Sequence, residues 1–122
     1  MPVRSPILDP LTEAITLARK ASYNEANKAA WIRKGSAVLR RLAKDLDLPA
    51  GTFEVRTCKG GVAVAGDCIL HTDTFYVNLS GFSDWDAGYA RTCKGRKDYT
   101  GGRNLPVPTT YEGLVRLCRE IA

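Results

Sequence analysis

The sequence has no apolar run approaching the roughly 18 residues that a membrane-spanning helix needs. Its start, Met1-Pro2-Val3-Arg4-Ser5-Pro6, lacks the apolar core of a secretory signal. The expectation is a soluble, cytoplasmic protein. Also missing are a P-loop, GxGxxG, HExxH, GxSxG and any CxxC pair at zinc spacing, so the best-marked enzyme classes lack their defining residues. The single histidine, His71, weakens any zinc proposal further, and neither a metal nor a cofactor is expected.

What is present suits one domain of ordinary size, residues 1–122. The 122 residues are 44% hydrophobic and 25% charged, with 11 Gly and 6 Pro, which is a globular composition rather than a disordered or fibrous one. Four cysteines, Cys58, Cys68, Cys93 and Cys118, are even in number. Without a secretory signal they are read as free thiols, three of them at positions where apolar residues belong.

The net charge of +5 is unevenly spread. Residues 1–50 carry nine basic and five acidic side chains, residues 51–90 two and five, and residues 91–103 five and one. Such clustering points to an anionic partner: nucleic acid, a nucleotide or an acidic protein surface.

Asp9-Pro10 has the form of an N-cap with Pro at the first helical position, and Leu11, Ala14, Ile15 and Ala18 follow at helical spacing, which predicts a helix over 10–21. Ser22-Tyr23-Asn24-Glu25 is a capping-box pattern that opens a second helix over 23–46. Its inward stripe is Ala30, Trp31, Val38, Leu42 and Leu46, and Lys28, Arg33, Lys34, Arg40, Arg41 and Lys44 form a basic remainder. Gly35 interrupts this helix, at about 1 kcal/mol against Ala, so a close packing contact or a mild bend is expected there. After Leu48-Pro49-Ala50-Gly51 the period changes to two. Strands are predicted from Thr52 to Cys58, over Val62–Ala65 beyond a Gly60-Gly61 turn, over Cys68–His71, from Phe75 to Ser80 and over 89–94, with a turn at Thr72-Asp73-Thr74. Thr109-Thr110-Tyr111-Glu112 offers another capping box, and Leu114, Leu117, Cys118 and Ile121 share one face of a C-terminal helix. The expected class is α+β: an N-terminal helical pair, an antiparallel meander of four to five strands and a short C-terminal helix.

Arg56-Thr57-Cys58-Lys59-Gly60 recurs letter for letter as Arg91-Thr92-Cys93-Lys94-Gly95. Two readings stand: similar strand ends leading into Lys-Gly turns, or Lys59 and Lys94 paired as cationic contacts on one sheet edge. The segment Lys94-Gly95-Arg96-Lys97-Asp98-Tyr99-Thr100-Gly101-Gly102-Arg103-Asn104 is the main candidate site. Gly101 and Gly102 permit a backbone nest whose N–H groups bind anions. Lys94, Arg96, Lys97 and Arg103 supply charge, Tyr99 a stacking face, and Thr100 and Asn104 uncharged hydrogen-bonding groups, a kit suited to phosphate plus base. The bland alternative is a solvated loop, but eleven residues are many for a turn alone.

This stretch resembles small uncharacterised proteins of bacteriophages and mobile elements, in which a similar Arg-Lys-Asp-Tyr-Thr-Gly-Gly run follows a strand. The resemblance spans residues 50–104 and brings no established catalytic residues. It implies a bacterial host and a setting in which small basic proteins act on nucleic acid or on host defence. Ser83-Asp84-Trp85-Asp86-Ala87-Gly88 reads as an acidic loop with too few oxygen ligands for calcium or magnesium, unless Trp85 marks a protein-binding hot spot. His71, near Asp67 and Asp73, is the only obvious general base and lacks a partner motif, so no enzyme is expected. The primary functional expectation is a non-enzymatic protein that binds nucleic acid or a nucleotide immune signal in an anti-defence role. The alternative is a protein-interaction inhibitor of a host defence complex, of the anti-CRISPR type. Oligomerisation through a sheet edge is open in both.

Overall fold

The computed structural model describes residues 11–12, 14–15, 25–58, 67–80, 88–95, 103–108 and 110–121. Their order is helix α1 (Glu25–Asp45), strands β1 (Phe53–Cys58), β2 (Asp67–Thr72), β3 (Phe75–Ser80), β4 (Gly88–Thr92) and β5 (Leu105–Pro106), then helix α2 (Tyr111–Ile121). The strands form one antiparallel sheet in sequence order, β1 to β5, so the α+β meander is present. Among the described residues the expected helical pair is represented by one N-terminal helix, α1. Of 10–21 only Leu11, Thr12, Ala14 and Ile15 are described, with helical backbone, and Leu11, Ala14 and Ile15 are buried in the core.

Helix α1 forms because apolar side chains recur on one wide face: Trp31, Ile32, Val38, Leu39, Leu42 and Ala43 are all buried, and the helix packs on β2 and β1. Lys28, placed by its type among the solvated basic residues, is buried instead. The helix ends in a Schellman-type turn, in which the Leu48 N–H donates to the Ala43 carbonyl and the Asp47 N–H to the Lys44 carbonyl, both at 3.0 Å, with Asp47 left-handed at φ 57°.

Gly35 is the close approach that its place in the helix suggested. A Cβ there would lie 2.7 Å from Cys68 Sγ and 3.3 Å from Cys68 Cβ. Cys68 is fully buried; its thiol donates to the Ile32 carbonyl at 3.5 Å and accepts from Ser36 Oγ at 3.8 Å, so it has little freedom to yield. Gly35→Ala is therefore expected to destabilise by about 1–3 kcal/mol through overpacking, despite alanine's better helix propensity. Adding Cys68→Ala should recover part of that loss, with a coupling of about 1 kcal/mol in a double-mutant cycle followed by urea unfolding. Additive effects would show that the two residues do not meet.

The β2–β3 turn is closed by Thr72, whose Oγ1 accepts from the Thr74 and Phe75 N–H groups, both at 3.1 Å, and donates to the Phe75 carbonyl at 3.0 Å. The expected strand over Val62–Ala65 lies outside the described residues, and β1 pairs instead with Asp67–Thr72, Cys58 standing opposite Asp67. Helix α2 is capped one residue later than the sequence pattern suggested. Thr110 Oγ1 accepts from the Gly113 N–H at 3.1 Å, because the helix begins at Tyr111 and the cap must stand immediately before it. Leu114 and Cys118 are buried, with Leu117 and Ile121 packed against the core. Tyr111 ties the two helices together: its hydroxyl donates to Asp45 Oδ2 at 2.6 Å, and the Arg41 guanidinium lies 4.8 Å over its ring. Burial, and next the Asp45 carboxylate, push the Tyr111 hydroxyl well above its ordinary pKa.

Candidate functional site

Strand register divides the sheet into two chemically different faces. Val55, Leu70, Val77, Ala90 and Leu105 stand side by side across all five strands, on the face that α1 covers. One residue along each strand, the opposite face carries Glu54, His71, Tyr76 and Arg91 in one row and Arg56, Ile69, Asn78, Tyr89 and Pro106 in the next. This second face is polar, yet His71 is fully buried on it and Tyr76 nearly so.

The polar face is held by a chain of contacts. Arg56 Nη2 lies 2.7 Å from His71 Nδ1, and Arg56 Nη1 lies 3.9 Å from Glu54 Oε2. A guanidinium only donates, so Nδ1 accepts and the neutral imidazole carries its proton on Nε2. That nitrogen is 3.5 Å from Cys93 Sγ, which is also 3.5 Å from the Thr72 carbonyl oxygen. The His71 and Tyr76 rings are 5.2 Å apart, and Tyr89 meets Tyr76 nearly edge-on at 6.0 Å. Burial, and next the neighbouring Tyr89, push the Tyr76 hydroxyl above its ordinary pKa, while a hydrogen bond with Arg91 pulls the other way.

The sequence-predicted site maps onto this frame in part. Lys94, Arg103 and Asn104 are exposed and Gly95 is half-buried. Arg96, Lys97, Tyr99, Thr100, Gly101, Gly102 and Lys59 lie outside the described residues, as does Trp85 with its acidic neighbours. Because β4 and β5 are adjacent and antiparallel, pairing Tyr89 with Pro106 and Ala90 with Leu105, the segment 94–104 leaves and re-enters the sheet at one end. Exposed Lys94 stands at its start, and exposed Arg103 and Asn104 at its close.

Lys59 is not described, but the cysteines that precede the two repeated lysines stand at opposite ends of the sheet. β1 and β4 run in opposite directions with two strands between them, so Cys58 ends one strand at the Asp67 end of the sheet, whereas Cys93 hydrogen-bonds Thr74 at the other. What the two copies share is a face, since Arg56 and Arg91 both belong to the polar side. The basic residues of α1 are elsewhere again: Arg33, Arg40, Arg41 and Lys44 are exposed on a helix that covers the apolar face. Sequence reasoning missed the Arg56–His71–Cys93 chain, because it joins three different segments and becomes visible only through register. Among the described residues no group of three or more His, Cys, Asp or Glu side chains could hold a metal ion, and no helix is long and apolar enough to cross a membrane.

Compared with protein-family models, with curated proteins and with solved structures, the chain matches none.

Proposed function

We propose that this protein binds a phosphate-bearing ligand, nucleic acid or a nucleotide, at the end of the sheet where β4 gives way to β5, and catalyses no reaction there. The observation that supports this reading is the β4–β5 register. It brings both ends of a Gly-rich basic segment to one place, with exposed Lys94 and Arg103 at its base. Cationic side chains and glycine-permitted backbone N–H groups are complementary to phosphate oxygens, and Tyr99 adds a ring on which a base can stack. In the phage or mobile-element setting that the segment's resemblance implies, such binding would withhold a nucleotide signal or a nucleic acid from host defence.

Replacing Arg96, Lys97 and Arg103 together with Glu is the decisive test. Affinity for a labelled oligonucleotide or cyclic dinucleotide, read by fluorescence anisotropy, is expected to fall about 100-fold or more, since each charge-assisted contact contributes roughly 1.5–3 kcal/mol. The melting curve should stay near wild type: Arg103 is exposed, and a change at such a position typically moves stability by about 0.5 kcal/mol or less. The companion variant replaces Arg33, Lys34 and Arg40 on α1. Loss in both, with a steep fall of affinity as salt rises, would identify an extended polyanion, since α1 covers the other face of the sheet. Loss only in the loop variant would identify a compact nucleotide. Full binding by a folded loop variant would reject the reading.

A further inference from the structure

We propose that Cys93 is a nucleophilic thiol, a modification site for soft electrophiles and peroxide, activated by the imidazole of His71 with Arg56 behind it. The inference is independent of the anion-binding reading, and it rests on a three-residue chain on the polar face. Arg56 Nη2 donates to His71 Nδ1 at 2.7 Å, which leaves Nε2–H directed at Cys93 Sγ at 3.5 Å. The reacting species of a cysteine is the thiolate, and it is favoured by hydrogen-bond donors and nearby cations. Here the donor is an imidazole N–H polarised by a guanidinium on its far side. Arg91 stands two residues before the thiol and exposed Lys94 immediately after it.

Neither of the other two described thiols hydrogen-bonds an imidazole, and Cys68 accepts from the Ser36 hydroxyl instead. Cys68 and Cys118 are fully buried, and burial pushes them up to about 11 and about 12 respectively. Cys93 is only half-buried and follows the last residue of β4, with exposed Lys94 next to it. His71 serves as a donor and not as a base. Its Nδ1 is engaged by Arg56, so the ring cannot take a second proton without giving up that bond. The thiol proton, held in the neutral form by the Thr72 carbonyl at 3.5 Å, therefore passes to solvent. The arrangement suits one-time modification rather than turnover. With iodoacetamide the sulfur forms a C–S bond as the C–I bond breaks and iodide leaves. With hydrogen peroxide the sulfur takes one oxygen as the O–O bond breaks, so that the thiolate is oxidised to sulfenic acid while the hydroxide released takes up a proton as water.

The test uses the folded full chain with a limiting amount of iodoacetamide at neutral pH, quenched over time and mapped by peptide mass spectrometry. Cys93 should be alkylated about 10-fold faster than glutathione under the same conditions, with Cys68 and Cys118 labelled only in denaturant. His71→Gln should bring the Cys93 rate down to that of glutathione or below. Since His71 is buried and its replacement can unfold the chain, Arg56→Gln, at a half-buried position, is the second variant and should slow Cys93 several-fold with a circular dichroism spectrum like wild type. The proposal is overturned if wild-type Cys93 reacts no faster than glutathione. It is equally overturned if a folded Arg56→Gln or His71→Gln chain labels Cys93 at the wild-type rate.

Discussion

Gly88→Ala is expected to remove about 4 kcal/mol or more of the protein's stability. Gly88 opens β4 at φ 134°, a backbone conformation that side-chain-bearing residues rarely adopt. A Cβ there would stand 1.8 Å from the Asn78 carbonyl oxygen and 2.8 Å from its carbon. Both atoms are backbone of the neighbouring strand, so no rotamer change relieves the overlap. Moving β4 away would break its pairing with β3 and the bond from the Val107 N–H to the Gly88 carbonyl at 3.1 Å, and with them the base of the candidate site. A penalty of about 4 kcal/mol or more is a large share of the roughly 6–18 kcal/mol available to a chain of this length. Far-ultraviolet circular dichroism and urea unfolding read the outcome. A cooperative transition with a midpoint near wild type would show that β3 and β4 do not approach as closely as described.

Trp31→Ala should cost about 3–5 kcal/mol and lower the melting temperature by on the order of 10–20 °C. Trp31 heads the fully buried side chains by volume, and it stands on α1 beside Gly35, which faces Cys68 of β2. Truncation would leave a cavity between helix and sheet that Gly35 and Cys68, both small, cannot fill. Arg33→Ala, exposed two residues further along the same helix, is the control and should change stability by about 0.5 kcal/mol or less. Equal melting temperatures for the two variants would place Trp31 on the wrong side of the helix.

Elements with strong periodicity were legible from residues alone. The long helix expected over 23–46 is observed over 25–45, and the apolar alternation of Phe75, Val77 and Leu79 lies on the core face as β3. Gly35 was legible too, since a glycine inside an otherwise good helix marks either a bend or a close contact. Long-range features were not. β5 holds Pro106, which argues against a strand in local terms, and it is tolerated because β5 is a two-residue edge. His71 could be noticed as the only imidazole, but its neighbours come from β1 and from the end of β4. Finding them requires knowing that Cys58 pairs with Asp67 rather than with a strand at 62–65. The candidate segment 94–104 stands out in composition alone, through its clustered Lys, Arg and Gly, whereas the orientation of the two repeated pentapeptides depended on strand direction.

Sequence-adjacent pairing of β4 and β5 has a thermodynamic corollary. The chain between them must only bridge a gap between neighbouring strands, and the entropy of closing such a gap rises by about 0.6 kcal/mol for each doubling of its length. Lengthening, shortening or recomposing that bridge therefore costs little compared with a change in the helix-covered face. The five-stranded frame can consequently keep its stability while the length and composition of that bridge change.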